Sequence, residues 1–148
     1  MKITYYQPDN LDSCTNLFMN VYNNETWKCH WTEKKAKKYI EELAEMPRFV
    51  GFLLQDEEEL LGAALCHERT WWHRDELNVN DFFLSSEAQE KEYGARLLKF
   101  MEKHVKEREL AGMTLLTNNL DMAEFYQKNQ FHHNDILFMY KGVSVEEE

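Results

Sequence analysis

Residues Ile3 to Gln7 read as a short strand, stopped by Pro8, after which Asp9 or Asn10 is placed to cap a helix. Leu11, Cys14, Leu17, Phe18 and Val21 then recur at helical spacing. Asn23 and Asn24 break that helix, an aromatic-rich connection runs from Trp27 to Trp31, and Thr32 caps a second helix buried along Ala36, Tyr39, Ile40, Leu43 and Ala44. Beyond Pro47, Phe49 to Gln55 and Leu60 to about Arg69 form a hairpin around an acidic turn, and Glu76 to Leu84 is a further strand. A polar loop from Ser85 leads into an amphipathic helix with Gly94, Leu97, Leu98, Met101 and Val105 on its inner stripe. Gly112 closes it, and Met113 to Thr117, Met122 to Asn129 and Ile136 to Lys141 complete the chain as strand, helix and strand. The predicted order is β-α-α-β-β-β-α-β-α-β, with no repeat and no linker, so the expected fold class is α/β with one mixed sheet.

A chain of 148 residues supports one well-buried core, and the expectation is a single domain over residues 1–143 with a short acidic tail at 144–148. The N-terminus has no apolar run long enough for a signal peptide or membrane span, which points to the cytoplasm. Cys14, Cys29 and Cys66 are odd in number and lack CxxC spacing, so they read as reduced structural thiols. The net charge of −10, with acidic runs at Asp56 to Glu59 and Glu146 to Glu148, repels nucleic acid and attracts a cationic substrate, although solubility alone accounts for it equally well. The six histidines show no ligand spacing, and no metal is expected.

Chemistry concentrates at the junction from Leu84 through SSEAQEKEYGARLL, where strand, polar loop and helix start make an anion-binding geometry. Gly94 and Ala95 let the first helical turn approach a ligand closely. QEKEYGARLL resembles the Q/R-x-x-G-x-G/A motif with which GNAT acetyltransferases bind the coenzyme A pyrophosphate: Gln89, Tyr93, Gly94 and Ala95 match, and Glu92 stands where the first motif glycine falls. NNLDMAEFYQKNQF resembles the same family's N-x-x-A-x-x-F-Y-x-K-x-G-F segment through Asn119, Phe125, Tyr126, Lys128 and Phe131, with Gln130 in place of glycine. ETWKCHWTEKKAKKYI, FVGFLLQDEEELLGAAL and DFFLSSEAQ are similar to the front half of GNATs related to aminoglycoside 6'-N-acetyltransferases. The resemblance runs collinearly along nearly the whole chain.

That resemblance implies a mostly antiparallel GNAT-like sheet flanked by helices, with the fourth and fifth strands splayed around the pantetheine of acetyl-coenzyme A. It implies direct attack of an amine on the thioester, with positioning as the main source of rate. Cofactor contacts fall on Phe83, Leu84, Gln89, Glu90, Lys91, Glu92, Tyr93, Gly94, Ala95, Asn119 and Tyr126, Lys91 offsetting part of the charge of Glu90 and Glu92. A side chain at Glu92 is tolerable there if its φ is negative.

Tyr126 is the candidate general acid for the departing thiolate, and Asp81, with Asn80 and Phe82 pointing to the opposite face, is the candidate group for taking the amine's proton or holding the ammonium. Glu76 competes with Asp81. Trp27 and Trp31 are the first candidates for acceptor walls, ahead of Trp71 and Trp72, and simple packing is the alternative for all four. The acceptor stays open between an aminoglycoside, a polyamine, another small amine and a protein amine. Relatives and aromatic content suggest a homodimer, and the altered glycine motif also suits a GNAT-shaped module that binds acyl-coenzyme A or a partner without turnover.

Overall fold

Strands that the sequence marks by apolar runs pair in the order of the chain. In the computed structural model, which describes residues 1–117 and 119–144, residues up to Leu116 form one compact unit and those from Thr117 a second. The first unit holds β1 (Lys2–Tyr5), a 3-10 turn at Pro8–Asn10, α1 (Leu11–Tyr22), α2 (Glu33–Ala44), β2 (Phe49–Asp56), β3 (Glu59–Arg69), β4 (Glu76–Leu84), α3 (Ser86–Glu90), α4 (Tyr93–Glu107) and β5 (Met113–Thr114). The sheet order is β1-β2-β3-β4-β5, with the first four strands antiparallel and β5 parallel to β4. The second unit carries α5 (Leu120–Lys128). The acidic residues Glu146 to Glu148 lie outside the described residues.

Local capping explains where several elements begin. The Thr32 hydroxyl accepts from the Lys35 amide at 3.2 Å to start α2. Ser85 does the same for α3, accepting from the Ala88 amide at 3.1 Å, so the expected polar loop contains a short helix. α5 begins where the Asn119 carboxamide accepts from the Met122 amide at 3.0 Å.

The expected strand at Ile136 to Lys141 is not formed: among the described residues no strand is assigned there, and Ile136 to Tyr140 are 71–85% exposed. Five consecutive apolar side chains leave no solvent face. A strand built from them needs cover on both faces as well as a ladder partner, and the sequence pattern specifies neither. β5 is also shorter than the expected Met113 to Thr117.

α1 and α2 cover one face of the sheet, where Cys14, Phe18 and Ile40 pack with Leu53, Ala63, Leu65 and Phe83. Each fully buried Leu or Phe contributes about 1.5–3 kcal/mol relative to exposure. α4 covers the other face, its Phe100 and His104 rings lying 6.0 and 5.2 Å from that of Phe52. Near the start of β3, Gly62 leaves room for the Leu84 side chain, since a Cβ there would stand 2.7 Å from Leu84 Cδ2.

A buried charge ties this second face together where β4 begins. The Glu68 carboxylate, 7% exposed, accepts from Arg108 at 2.8 and 3.0 Å, from His104 Nε2 at 3.1 Å and from Arg48 at 3.4 Å. The other ring nitrogen of His104, Nδ1, lies 3.2 Å from the Tyr5 hydroxyl, which ties β1 to the same carboxylate. One carboxylate thereby joins β1, the start of β2, the end of β3 and the last turn of α4.

The Arg108 hydrogen bonds chiefly, helped by His104 and opposed by burial, hold the Glu68 carboxyl down from 4.5 to about 2. A depressed carboxyl stabilises the fold above its unfolded value and loses that contribution as the pH falls from 4.5 towards 2. Urea unfolding at pH 3.5 should therefore show Glu68 contributing about 1 kcal/mol less than at pH 6. Glu68→Gln should be less stable at pH 6 and show a shallower acid dependence, and parallel pH curves for the two proteins would contradict this.

Candidate active site

β4 is paired along its full length on only one side. β3 matches it from Glu76 to Leu84, but the parallel ladder with β5 holds only Leu77↔Met113 and Asn78↔Thr114. From Val79 onward no strand among the described residues pairs with its outer edge, which leaves backbone groups available to an extended ligand. The register also shifts at Leu65/Cys66, which face Asp81 and Val79, so Asn80 is the extra residue of a bulge.

The bulge corrects the expected alternation. Asn80 does not point away from the helices: its Nδ2 reaches His67 Nδ1 at 3.0 Å and Met46 Sδ at 3.6 Å, on the α2 side of the sheet. Asp81 faces the helices as well. Its Oδ1 accepts from the Tyr22 hydroxyl at 2.5 Å and its Oδ2 from the Tyr39 hydroxyl at 2.9 Å. Burial raises the Asp81 carboxyl above its usual range, against the lowering effect of these phenols and of the Phe82 amide. A carboxylate moved in that direction is better suited to take a proton than an exposed one.

Aromatic rings surround this carboxylate. Trp27 packs edge-on to Tyr22 at 5.1 Å, and Trp31 lies 5.4 Å from Tyr39 and 5.0 Å from Phe18. The connection that carries both tryptophans is held by Asn24, whose side chain accepts from the Thr26 and Trp27 amides, and by Asn23, which bonds the backbone of Trp31 in both directions. Trp27, Trp31 and Asp81 thus share one neighbourhood. Trp72, 86% exposed, and Trp71, stacked by Arg69 at 4.5 Å, belong to the β3–β4 connection. Glu76 is bound to Arg69 at 2.6 Å, which neutralises it as a competitor to Asp81.

The sequence pattern places Tyr39 on the buried stripe of its helix as a core aromatic and gives Tyr22, next to Val21 at the end of the other, no role; only the hydroxyl distances reveal their common target.

At the end of β4 the chain passes through α3 into α4. Phe83 is buried in the α1–α2 core and Leu84 is 5% exposed, so their side chains pack while their backbone borders the open edge. The Gln89 side chain donates to the Leu84 carbonyl at 3.1 Å, and Glu90 ends α3 exposed to solvent. Lys91 is engaged by Glu87 at 2.8 Å, so its charge serves that partner first.

Glu92 is the N-cap of α4 with φ 58°, a left-handed conformation that opposes the expected negative φ. It supplies no capping bond, which leaves the Tyr93, Gly94 and Ala95 amides as donors for an anion. Arg96, whose guanidinium lies 5.6 Å from the Tyr93 ring, adds a cation one residue further. A cavity of about 360 Å³ adjoins the junction, between Asn16 and Asn20 of α1, Asn24 of the connection that follows it, and Leu84, Ser85 and Gln89. Open edge, uncapped helix and cavity suit a long ligand with amides and phosphates. Among the described residues no group of three or more His, Cys, Asp or Glu is placed to hold a metal.

In the second unit Tyr126 is buried, with its ring 5.4 Å from Phe125 and 5.5 Å from Phe131. Asn119 is occupied as the cap of α5. Gln130 has φ 69°, so the position of the second motif glycine is left-handed too.

A family model for the GNAT acetyltransferase family matches residues 13–131. A comparison with curated protein sequences finds no match. Among solved structures, a probable acetyltransferase superposes with a TM-score of 0.77 at 20% identity, covering 99% of this chain and 100% of that one. Aminoglycoside N-acetyltransferase AAC(6')-Iy in complex with coenzyme A gives 0.75 at 13% identity, over 95% and 93% of the two chains. The aminoglycoside acetyltransferase meta-AAC0020 from an uncultured soil metagenomic sample, in complex with sisomicin, gives 0.75 at 12% identity over 97% and 96%. These likenesses agree in fold, and the family model spans most of the sequence: the chain belongs to the GNAT acetyltransferase family.

Proposed function

We propose that this protein transfers the acetyl group of acetyl-coenzyme A directly to the nitrogen of a primary amine. The observation that carries the reading is the conjunction on one strand of an edge that no described strand pairs beyond Asn78 and a helix-facing carboxylate at Asp81, within a family of acetyltransferases. The open edge suits the pantetheine arm, and the amides of Tyr93, Gly94 and Ala95 suit the pyrophosphate. Backbone amides near Phe83 and Leu84 would orient the acetyl carbonyl.

Asp81 takes one proton from the ammonium, the freed amine forms the C–N bond as the C–S bond breaks, and Tyr126 gives its hydroxyl proton to the leaving sulfur; the second nitrogen proton, shed as the amide forms, makes good the tyrosine's loss, and Asp81 returns its own proton to solvent. The acidic chain favours a cationic acceptor, and the aminoglycoside-binding neighbours make an aminoglycoside the first to try, with polyamines and protein amines after it. None of the described helices is long and apolar enough to cross a membrane, and we place the enzyme in the cytoplasm, where Cys14, Cys29 and Cys66 stay reduced.

Acetyl-coenzyme A consumption against a panel of amines, with product mass confirmed, should reveal an acceptor. In that assay Asp81→Asn and Tyr126→Phe should each lower kcat by about 10-fold to 1000-fold while acetyl-coenzyme A still binds. Cofactor binding with no acetylated amine would instead favour a binding module, a reading supported by the carboxylates of Glu90 and Glu92 beside the anion site. Full turnover in Tyr126→Phe, with chemistry limiting, would remove the acid role.

Glu92→Gly should relieve left-handed strain of about 1 kcal/mol and withdraw a negative charge from the phosphate site. The variant is expected to melt higher and to show a larger rise in Tm with acetyl-coenzyme A. An unchanged ligand-induced rise would place the pyrophosphate elsewhere.

Two copies are proposed to associate, with the exposed apolar run from Ile136 to Tyr140 as the surface that a second copy covers. Light scattering at micromolar concentration should report twice the 17.8 kDa chain mass, and a monomer throughout would refute it.

A further inference from the structure

The Asp81 carboxylate is approached from three elements at once. Tyr22, the last residue of α1, donates to one oxygen at 2.5 Å, and Tyr39 of α2 donates to the other at 2.9 Å. The backbone amide of Phe82 adds a third donor from β4 itself. A carboxylate offers about four lone-pair sites, so three donors leave roughly one. No charged side chain among the described residues contributes to its environment: Leu65 stands opposite on β3, and His67, further along that strand, is engaged with Asn80.

We propose that Tyr22 and Tyr39 are positioning residues that hold the Asp81 carboxylate by one oxygen each and leave a single acceptor site for the incoming ammonium. The inference rests on Asp81 serving as the proton acceptor in the acetyl transfer proposed above. The two phenols fix where the carboxylate points, because rotation about its Cβ–Cγ bond would break both hydrogen bonds. They also share its negative charge, which keeps it an acceptor inside an aromatic enclosure that would otherwise favour the neutral acid. Tyr39 remains a donor at all working pH values, since burial first, and the Asp81 charge next, push its own hydroxyl far above the usual range.

Trp27 and Trp31 then act through the tyrosines. Trp27 buttresses Tyr22 and Trp31 buttresses Tyr39, each across about 5 Å between ring centroids, so the connection between α1 and α2 sets the aim of the base. The expected acceptor walls and the base are parts of one construction, and distortion of the walls should register as a change in how Asp81 titrates.

The test is a pH titration of the Asp81 carboxyl carbon by NMR in ¹³C-labelled protein without substrate, for wild type, Tyr22→Phe and Tyr39→Phe. Asp81→Asn assigns the signal, and thermal melts confirm that each variant is folded. Removing either hydroxyl withdraws a donor from the charged form, so the midpoint should rise by about 0.5–1 unit in each variant and further in the double variant. With an acetylatable amine in hand, the acid limb of kcat/KM should move upward by the same amount, costing about 3-fold to 10-fold on that limb and less at high pH. A purely structural tie would lower Tm and leave the midpoint in place, and that result in a folded variant overturns the proposal. Because the titration needs no turnover, it separates the two ideas: unchanged activity in Asp81→Asn would sink the role of Asp81 as base, whereas unmoved midpoints would sink the two-tyrosine hold alone.

Discussion

Pairing between β4 and β5 ends after Asn78, and the arrangement of the candidate site follows from that interruption. Had the ladder continued, the backbone of residues 79–84 would be consumed internally, and a ligand could reach the middle of the sheet only by displacing a strand. Beyond Asn78, β3 is the strand that holds β4 in the sheet among the described residues. The bulge at Asn80 then turns two successive polar residues towards the helices, which is how a strand otherwise rich in buried Val, Leu and Phe presents a carboxylate on the side where α1 and α2 can reach it.

Most elements were legible because their burial has a period. The stripes of α1, α2 and α4 and the apolar runs of β2 and β3 declare their faces, and the capping of α2 by Thr32 is written in the residue itself. Asn80 was misplaced because strict alternation has no way of registering an inserted residue; one bulge changes the face without changing the composition. Tyr39 is hidden for a related reason: a tyrosine on an apolar stripe looks like a phenylalanine until its hydroxyl finds a partner far away in sequence, and Tyr22, at the end of α1, is marked by no periodicity at all. The segment Ile136 to Tyr140 misled in the opposite direction, since its apolar strength suggested a strand while its lack of alternation left no face to specify one.

The two departures from the family's glycine pattern gain a physical meaning together. Glu92 and Gln130 stand where glycine is expected, and both adopt the left-handed backbone that makes glycine the usual choice. The chain has kept the turn while changing the residue. Backbone amides, rather than side chains, are what the first of these turns offers, so the anion geometry survives a substitution that the motif alone would count as a loss.

The Glu68 brace has a mechanical consequence. It clamps the sheet at the end where β4 begins, joining β1, β2, β3 and α4 through one buried carboxylate, whereas the opposite end carries an edge unpaired among the described residues, a cavity and the short helix α3. Such a sheet behaves like a cantilever. Amides near the clamp should exchange only with global unfolding and those near Leu84 and α3 in smaller excursions, so that the ligand-facing tip flexes without loosening the root.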